Sequence, residues 1–467
     1  MENNTQAAAV AEEYPIEVSV PMSARHYGFW DMVATWIGAN ANTSSWYTGG
    51  CIAAVGVMGG LAVIFIANPI AYAIMAMVGY MGYKVGTTSM GLTRASFGIR
   101  GSALPSVLNT IQFIGWCAMN TYIAAISLSY LLNSLFDWPA FGQENSGWVM
   151  VVGVVFCSII QILMTVVQGS RSIKVAERVG VIALIILTIW ETWVILDHYP
   201  LEQIFAWEPT GDFSIRFGEA MDIMVAFSFG WIPAIAEFTR YTKNRRSAVV
   251  APMIGANVAL FWFAIVGMFG AIANSIQTGV FDPNTSDPSS IVANLGLGWV
   301  AFGVLILATC TTNCVNIYSA GMSVANILPK VGEKKCLYGT AVLTLLISLI
   351  PILVGSFYDT FTVFLSYVGF IFAPLLAIMI IDFFVVHKRN YDWSQSATVG
   401  GKYWYTNGIN WIAVCTWLIG VAVYFLCLRL DFVMNTMGAI YATVLVTAVV
   451  YWVANLIFNK NYQKKAA

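Results

Sequence analysis

The chain has 467 residues, of which 59% are hydrophobic and only 10% charged, with a formal net charge of −1. A soluble protein of this length is usually about a quarter charged, so a water-facing globule is excluded; the net charge by itself says nothing about nucleic acid, and no nucleic-acid partner is expected. A mean hydropathy of +0.74 points instead to a chain whose surface meets lipid.

Twelve apolar segments are each long enough to cross a hydrocarbon core, near 28–55, 60–83, 106–132, 148–168, 179–197, 217–238, 249–274, 298–326, 337–356, 360–387, 409–429 and 434–458. A core about 30 Å thick needs roughly 20 residues of helix, and barrel-type alternation is absent, so an all-α integral membrane fold is predicted. Segment 1 is interrupted at its centre by Gly38-Ala39-Asn40-Ala41-Asn42-Thr43-Ser44-Ser45. Small residues favour close helix packing, but two Asn, a Thr and two Ser together predict an unwound stretch whose carbonyls are free to bind a cation. Segment 3 carries Gln112, Trp116 and Asn120 at intervals of four, hence near one helix face. Amides pair a donor with an acceptor, as the edge of a nucleobase does, and an indole offers a stacking face. The bland alternative is an interior aromatic flanked by interhelical amides.

Segment 6 contains Ser228-Phe229-Gly230-Trp231-Ile232-Pro233, a second predicted break five segments after the first. Proline kinks occur without any ligand, but paired interruptions at matching positions of two halves mark an inverted-repeat transporter with its site at the repeat interface. Segment 8 carries Ala308, Thr309, Thr311, Thr312, Asn313 and Asn316, neutral oxygens suited to a hard cation or a polar substrate. Thr can alternatively bond back to its own helix.

Loop charges set the orientation. Lys84, Arg94 and Arg100 follow segment 2; Arg171, Lys174 and Arg178 follow segment 4; Arg240, Lys243, Arg245 and Arg246 follow segment 6. Lys330, Lys334 and Lys335 follow segment 8, Lys388, Arg389 and Lys402 follow segment 10, and Lys460, Lys464 and Lys465 end the chain. With Arg25 these are 20 of the 22 Lys and Arg on one side. Only Arg216 and Arg429 lie opposite, among Asp137, Glu144, Glu202, Glu208, Asp212, Asp282 and Asp287. The positive-inside rule puts both termini in the cytoplasm. The first 26 residues, with Glu2, Glu12, Glu13 and Glu17, hold no apolar signal core.

The remaining charges read as helix-end residues: Asp31, Glu237 and Asp382 near the cytoplasm, Glu191, Glu219 and Asp222 near the outside. With no ionisable group evident at mid-depth, a metal cation held by neutral oxygens is favoured over a proton, although proton coupling stays open. The eight cysteines show no zinc or redox spacing and read as packing residues. His26, His198 and His387 fall at helix ends or in loops and are assigned no role.

These interruptions and their neighbours resemble the nucleobase:cation symporter-1 family, on its cytosine and purine permease branch. The resemblance is carried by Thr43-Ser-Ser-Trp-Tyr-Thr-Gly-Gly50, by Thr93-Arg-Ala-Ser-Phe-Gly-Ile-Arg-Gly-Ser102 with Pro105, and by Gln112 to Trp116. Glu237-Phe-Thr-Arg-Tyr241, Thr311-Thr-Asn313 and Asn316-Ile-Tyr-Ser319 complete it. It implies a LeuT-type fold: tails at 1–26 and 459–467, inverted repeats at 27–197 and 198–389, and two peripheral helices in 390–458. It further implies a sodium site formed by the carbonyls of Gly38, Ala41 and Ala308 and the hydroxyls of Thr311 and Thr312. The substrate would lie against Trp116 and Trp231, with Gln112, Asn120, Asn313 and Asn316 as hydrogen-bond partners. Segment 8 looks like a cytosine permease, whereas Phe229 to Pro233 looks closer to transporters of hydantoins and thiamine precursors.

The expected function is cation-coupled import of a small heterocycle at the cell membrane, with sodium the coupling ion and no other cofactor. Rival readings are a same-fold symporter for hydantoin, allantoin, a thiamine pyrimidine precursor or an amino acid, or a membrane receptor. An enzyme would need clustered acid, base, nucleophilic or metal-binding residues, and the sequence offers none. Nothing in the residues sets the oligomeric state.

Overall fold

The computed structural model describes residue 14 and residues 16–167, 169–209, 213–327 and 331–458. Of the residues named above, Glu2, Glu12, Glu13, Asp212, Lys330, Lys460, Lys464 and Lys465 lie outside this set, as does the C-terminal tail 459–467.

Pass 1 is two helices, α1 (Phe29–Asn40) and α2 (Thr43–Ile52), and pass 2 is α3 (Gly56–Val85). The short α4 (Ser89–Phe97) leads into pass 3, α5 (Ala103–Phe136), followed by α6 (Gly147–Val167) and α7 (Gly169–His198). After α8 (Leu201–Phe205), pass 6 is split into α9 (Phe217–Phe229) and α10 (Ile235–Thr239). Pass 7 is α11 (Arg245–Thr278), joined through α12 (Pro288–Asn294) to pass 8, α13 (Trp299–Ile327). Then come α14 (Glu333–Ser348) with α15 (Ile350–Val354), α16 (Phe357–Ile381), α17 (Trp411–Cys427), α18 (Asp431–Met434) and α19 (Gly438–Phe458).

Ten helices among the described residues are long and apolar enough to cross a bilayer. One of the ten, Thr43–Val85, runs through the end of pass 1 and all of pass 2, and the shorter apolar α17 is additional to them. Twelve passes are compatible with this count. The loop predicted between segments 4 and 5 is instead helical, because α7 already begins at Gly169. Charge there marks where the chain leaves lipid, but Arg, Lys and Glu are good helix formers, so the helix continues past that boundary.

Both predicted breaks are present, and the polar residues explain them. α1 ends at Asn40; Ala41 and Asn42 leave helical geometry, and the Asn42 side chain caps α2 by accepting from the Ser45 N–H at 2.9 Å. Asn42 Nδ2 donates to the Ala39 carbonyl at 2.8 Å and Ser45 Oγ to the Asn40 carbonyl at 2.6 Å. Tyr72 of α3 donates to Asn40 Oδ1 at 2.6 Å. Side chains thus replace the helical hydrogen bonds that buried backbone would otherwise lose. In pass 6 the chain turns at Gly230 and Trp231 before a 3-10 turn, Ile232–Ala234, whose Pro233 has no N–H to give.

Two sets of helices meet at these breaks. α11 packs along α1, α2 and α3, and α9 along α3, while α13 packs on α5, α6, α7 and α14. α7 touches both sets through α11 and α13, and α17 and α19 pack on each other and on α16. The contact between α2 and α11 is backbone on backbone: a Cβ at Gly267 would lie 1.9 Å from the Trp46 carbonyl oxygen, and one at Gly49 2.1 Å from that of Ala264. Most helix-end acids have structural duties, as expected. Asp222 accepts the N–H groups of Ala439 and Ile440 at 2.8 Å each, capping α19; Glu237 accepts from Ser89 Oγ at 3.0 Å. Asp382 accepts from the phenols of Tyr391 and Tyr451. Glu191 departs from the helix-end reading, being wholly buried with neither carboxyl oxygen hydrogen-bonded.

Candidate substrate cavity and cation site

A narrow cleft lies where the two breaks face α5 and α13, bounded by Trp116, Asn120, Gly230, Trp231, Thr312 and Asn316 with Asn42, Ser44, Phe113 and Phe227. The Trp116 indole is held edge-on by Phe227 and Phe364, with ring centroids 5.5 and 4.9 Å away. A Cβ at Gly230 would sit 2.8 Å from Trp116 Nε1, so only a glycine lets the unwound backbone lie against that ring. Trp231 is braced edge-on by Trp36 of α1.

The polar groups divide sharply. Asn120 accepts from Ser44 Oγ at 2.6 Å, which leaves its amide N–H groups with only a 3.5 Å contact to Asn313. Asn316 and Thr312 border the cavity and make no side-chain hydrogen bond among the described residues. Gln112 and Asn313 stand back from it. Gln112 Nε2 donates to the Gly230 carbonyl at 2.9 Å, bracing the break in pass 6, while its buried Oε1 has no partner. Asn313 Nδ2 faces the Cys117 carbonyl, Thr121 Oγ1 and Gln161 Oε1 at 2.8–3.0 Å and joins α13 to α5 and α6. Of the six residues expected around the substrate, four therefore line the space: Trp116, Asn120, Trp231 and Asn316. Phe113 and Phe227 were not anticipated; nothing in the sequence separates a phenylalanine facing a cavity from one facing lipid.

Around the break in pass 1, no N–H or O–H among the described residues donates to the carbonyl of Gly38 or of Ala41, whereas those of Ile37, Ala39 and Asn40 all accept hydrogen bonds. These two unspent carbonyls are the pair expected to bind sodium. On α13, Thr311 Oγ1 lies 3.1 Å from the Ala308 carbonyl, and Gly180 of α7 packs directly over both residues. Thr309, outside the expected set, meets Thr43 hydroxyl to hydroxyl at 3.0 Å and links α13 to α2. Thr312 turns to the substrate cavity. Carbonyl and hydroxyl oxygens are hard neutral ligands, so the oxygens of Gly38, Ala41, Ala308 and Thr311 are chemically of the kind a small hard cation takes. Among the described residues no group of three or more His, Cys, Asp or Glu could hold a metal ion.

The sequence profile of the family described as permeases for cytosine/purines, uracil, thiamine and allantoin matches residues 19–454. The chain belongs to this family. It is a membrane transport protein, not an enzyme. The permease is 25% identical to the allantoin permease of Bacillus subtilis over 84% of this chain and 82% of the relative. It is 24% identical to the cytosine permease of Escherichia coli, covering 86% and 87%. Its fold matches the inward-facing conformation of Mhp1 with a TM-score of 0.77, at 20% identity, over 94% of each chain. The permease thus has the LeuT-type architecture that the family resemblance implied.

Proposed function

We propose that this permease is a secondary active symporter that imports a nucleobase or related planar heterocycle together with sodium. The observation carrying this reading is the cavity itself: two indoles beside the break in pass 6, with the Asn120 amide N–H groups, the Asn316 amide and the Thr312 hydroxyl around them. A flat ring would lie against Trp116 or Trp231, and its polar edge would pair with the Asn316 amide, which offers both donor and acceptor, and with the N–H groups of Asn120. Among the described residues no charged side chain borders this space, which disfavours a carboxylate-bearing substrate such as an amino acid.

Sodium would bind the carbonyls of Gly38, Ala41 and Ala308 with the hydroxyl of Thr311, and Thr312 would complete the set as α13 closes on α1. The ion supplies positive charge that ties the unwound strand of pass 1 to α13. The chain's own residues then hold the ring between the breaks, and rocking of the repeats at 27–197 and 198–389 opens the cavity to each side in turn. On the positive-inside rule the permease sits in the cell membrane with both termini in the cytoplasm. The test is competition among cytosine, adenine, uracil, allantoin, hydantoins and a thiamine pyrimidine precursor in proteoliposomes, with and without a sodium gradient. At least one of these should be concentrated only when sodium is present. Equal uptake on a proton gradient in sodium-free buffer would overturn the ion assignment, and no uptake of any would overturn the substrate class.

A further inference from the structure

Glu191 has no part in the site just described. It lies on α7, two turns before the helix end at His198, and is 0% exposed with both carboxyl oxygens unpartnered. No Lys, Arg or His among the described residues is within ion-pair distance of it. Its room comes from Gly270 of α11, where a Cβ would fall 2.7 Å from Glu191 Oε1 and 2.8 Å from Ile291 of α12. The carboxyl and Ile291 of α12, the short helix in the connection between passes 7 and 8, thus share the space over Gly270. One turn farther along α11, Asn274 donates to the Thr285 carbonyl and accepts from Asn294, forming a polar cluster.

We propose that Glu191 is a proton-binding site, and that its protonation controls whether α12 closes the outer side of the permease. An ionised carboxylate with no partner in a dry, lipid-level site is very costly. With α12 in place the group holds its proton as the neutral acid. When α12 lifts, water reaches the carboxyl through the Asn274 cluster and it ionises; α12 returns only after a proton is taken back. The closed form binds one more proton than the open form, so falling external pH favours closure and rising pH favours opening. α7 carries the consequence inward: Gly180, three turns away on the same face, packs on Ala308 and Thr311.

The groups facing Glu191 from α11 and α12, Gly270 and Ile291, do not titrate. The acid of α12 is Asp287, which burial lifts to about 6 against hydrogen bonds from Ser289 and Ser290. It lies among Tyr47, Tyr122 and Tyr130, not against Glu191. Asp197 and His198 on α7 itself are exposed. All of these remain when Glu191 is changed, so the difference between two backgrounds isolates it.

The test needs no substrate, which separates it from failure of the transport reading. The buried Val292 of α12 is replaced by Cys, and its labelling by a membrane-impermeant maleimide is followed by peptide mass mapping as external pH is raised from 6 to 8. With Glu191 present, labelling should rise several-fold beyond the rise seen with Glu191→Gln, approaching about tenfold per pH unit where the carboxyl titrates. The two backgrounds share the thiol's own ionisation. If their pH profiles coincide, the proposal is wrong. Should Glu191→Gln fail to reach the membrane, Glu191→Asp replaces it: a profile shifted along the pH axis supports the site, and a superimposable one overturns it.

Discussion

Trp116→Ala is expected to weaken binding of the heterocycle by about 1–3 kcal/mol, the range of base–aromatic stacking, or roughly 5- to 150-fold in dissociation constant. The indole borders the cavity at the level of Gly230, and Phe227 and Phe364 fix its plane before any ligand arrives. A ring already held in place loses little freedom on binding, so most of the stacking energy reaches the complex. Trp116→Phe should recover much of the loss, because a smaller aromatic face remains. Equilibrium binding of a radiolabelled panel compound to purified, folded protein measures both. Affinity unchanged in Trp116→Ala would move the substrate away from α5.

Gly267→Val is expected to prevent accumulation of folded protein, or to lower its unfolding temperature sharply. The added Cβ would start 1.9 Å from the Trp46 carbonyl oxygen, and that oxygen belongs to backbone that cannot rotate aside. Overpacking a well-filled interior typically costs 1–3 kcal/mol; here two helix backbones, α2 and α11, would have to separate. Gly38→Ala is the contrast, since a Cβ there meets no atom within 4 Å. Thermal unfolding of the two purified variants beside the parent should therefore place Gly38→Ala near the parent and Gly267→Val far below it. Equal midpoints would contradict the close crossing of α2 and α11.

The difference between those two glycines shows what the residues disclose and what they withhold. Gly38 drew attention because it opens a polar run in an apolar segment, yet its own surroundings are open. Gly267 and Gly49 look like ordinary small residues and set the closest helix contact. The breaks were legible because a run such as Asn40 to Ser45 cannot stay inside a continuous membrane helix without a use for its side chains, and those side chains do replace backbone bonds. Which side chains reach the cavity was only partly legible. Residues four apart differ by about 40° around a helix and those eight apart by about 80°. Trp116 and Asn120 can thus share the cavity while Gln112 turns to the Gly230 carbonyl. On α13 the same rotation brings Thr312 and Asn316 to the space and takes Asn313 toward Gln161. The burial of Glu191 had no local signal at all, since the space its carboxyl fills is left by Gly270 of α11, about eighty residues downstream.

Binding of the labelled heterocycle at several fixed sodium concentrations, and of sodium at several fixed heterocycle concentrations, tests most directly whether the two breaks form one coupled site. The Gly38 and Ala41 carbonyls lie at the break between α1 and α2, beside Asn42 and Ser44, which border the cavity. Ordering that break with either ligand should favour the other. The predicted result is heterocycle affinity that rises with sodium, and sodium affinity that rises with heterocycle by the same factor, as linkage requires. In Thr311→Ala the sodium concentration at half-saturation should increase while heterocycle affinity at saturating sodium stays close to the parent's. Heterocycle affinity that is independent of sodium across the whole range would contradict the account.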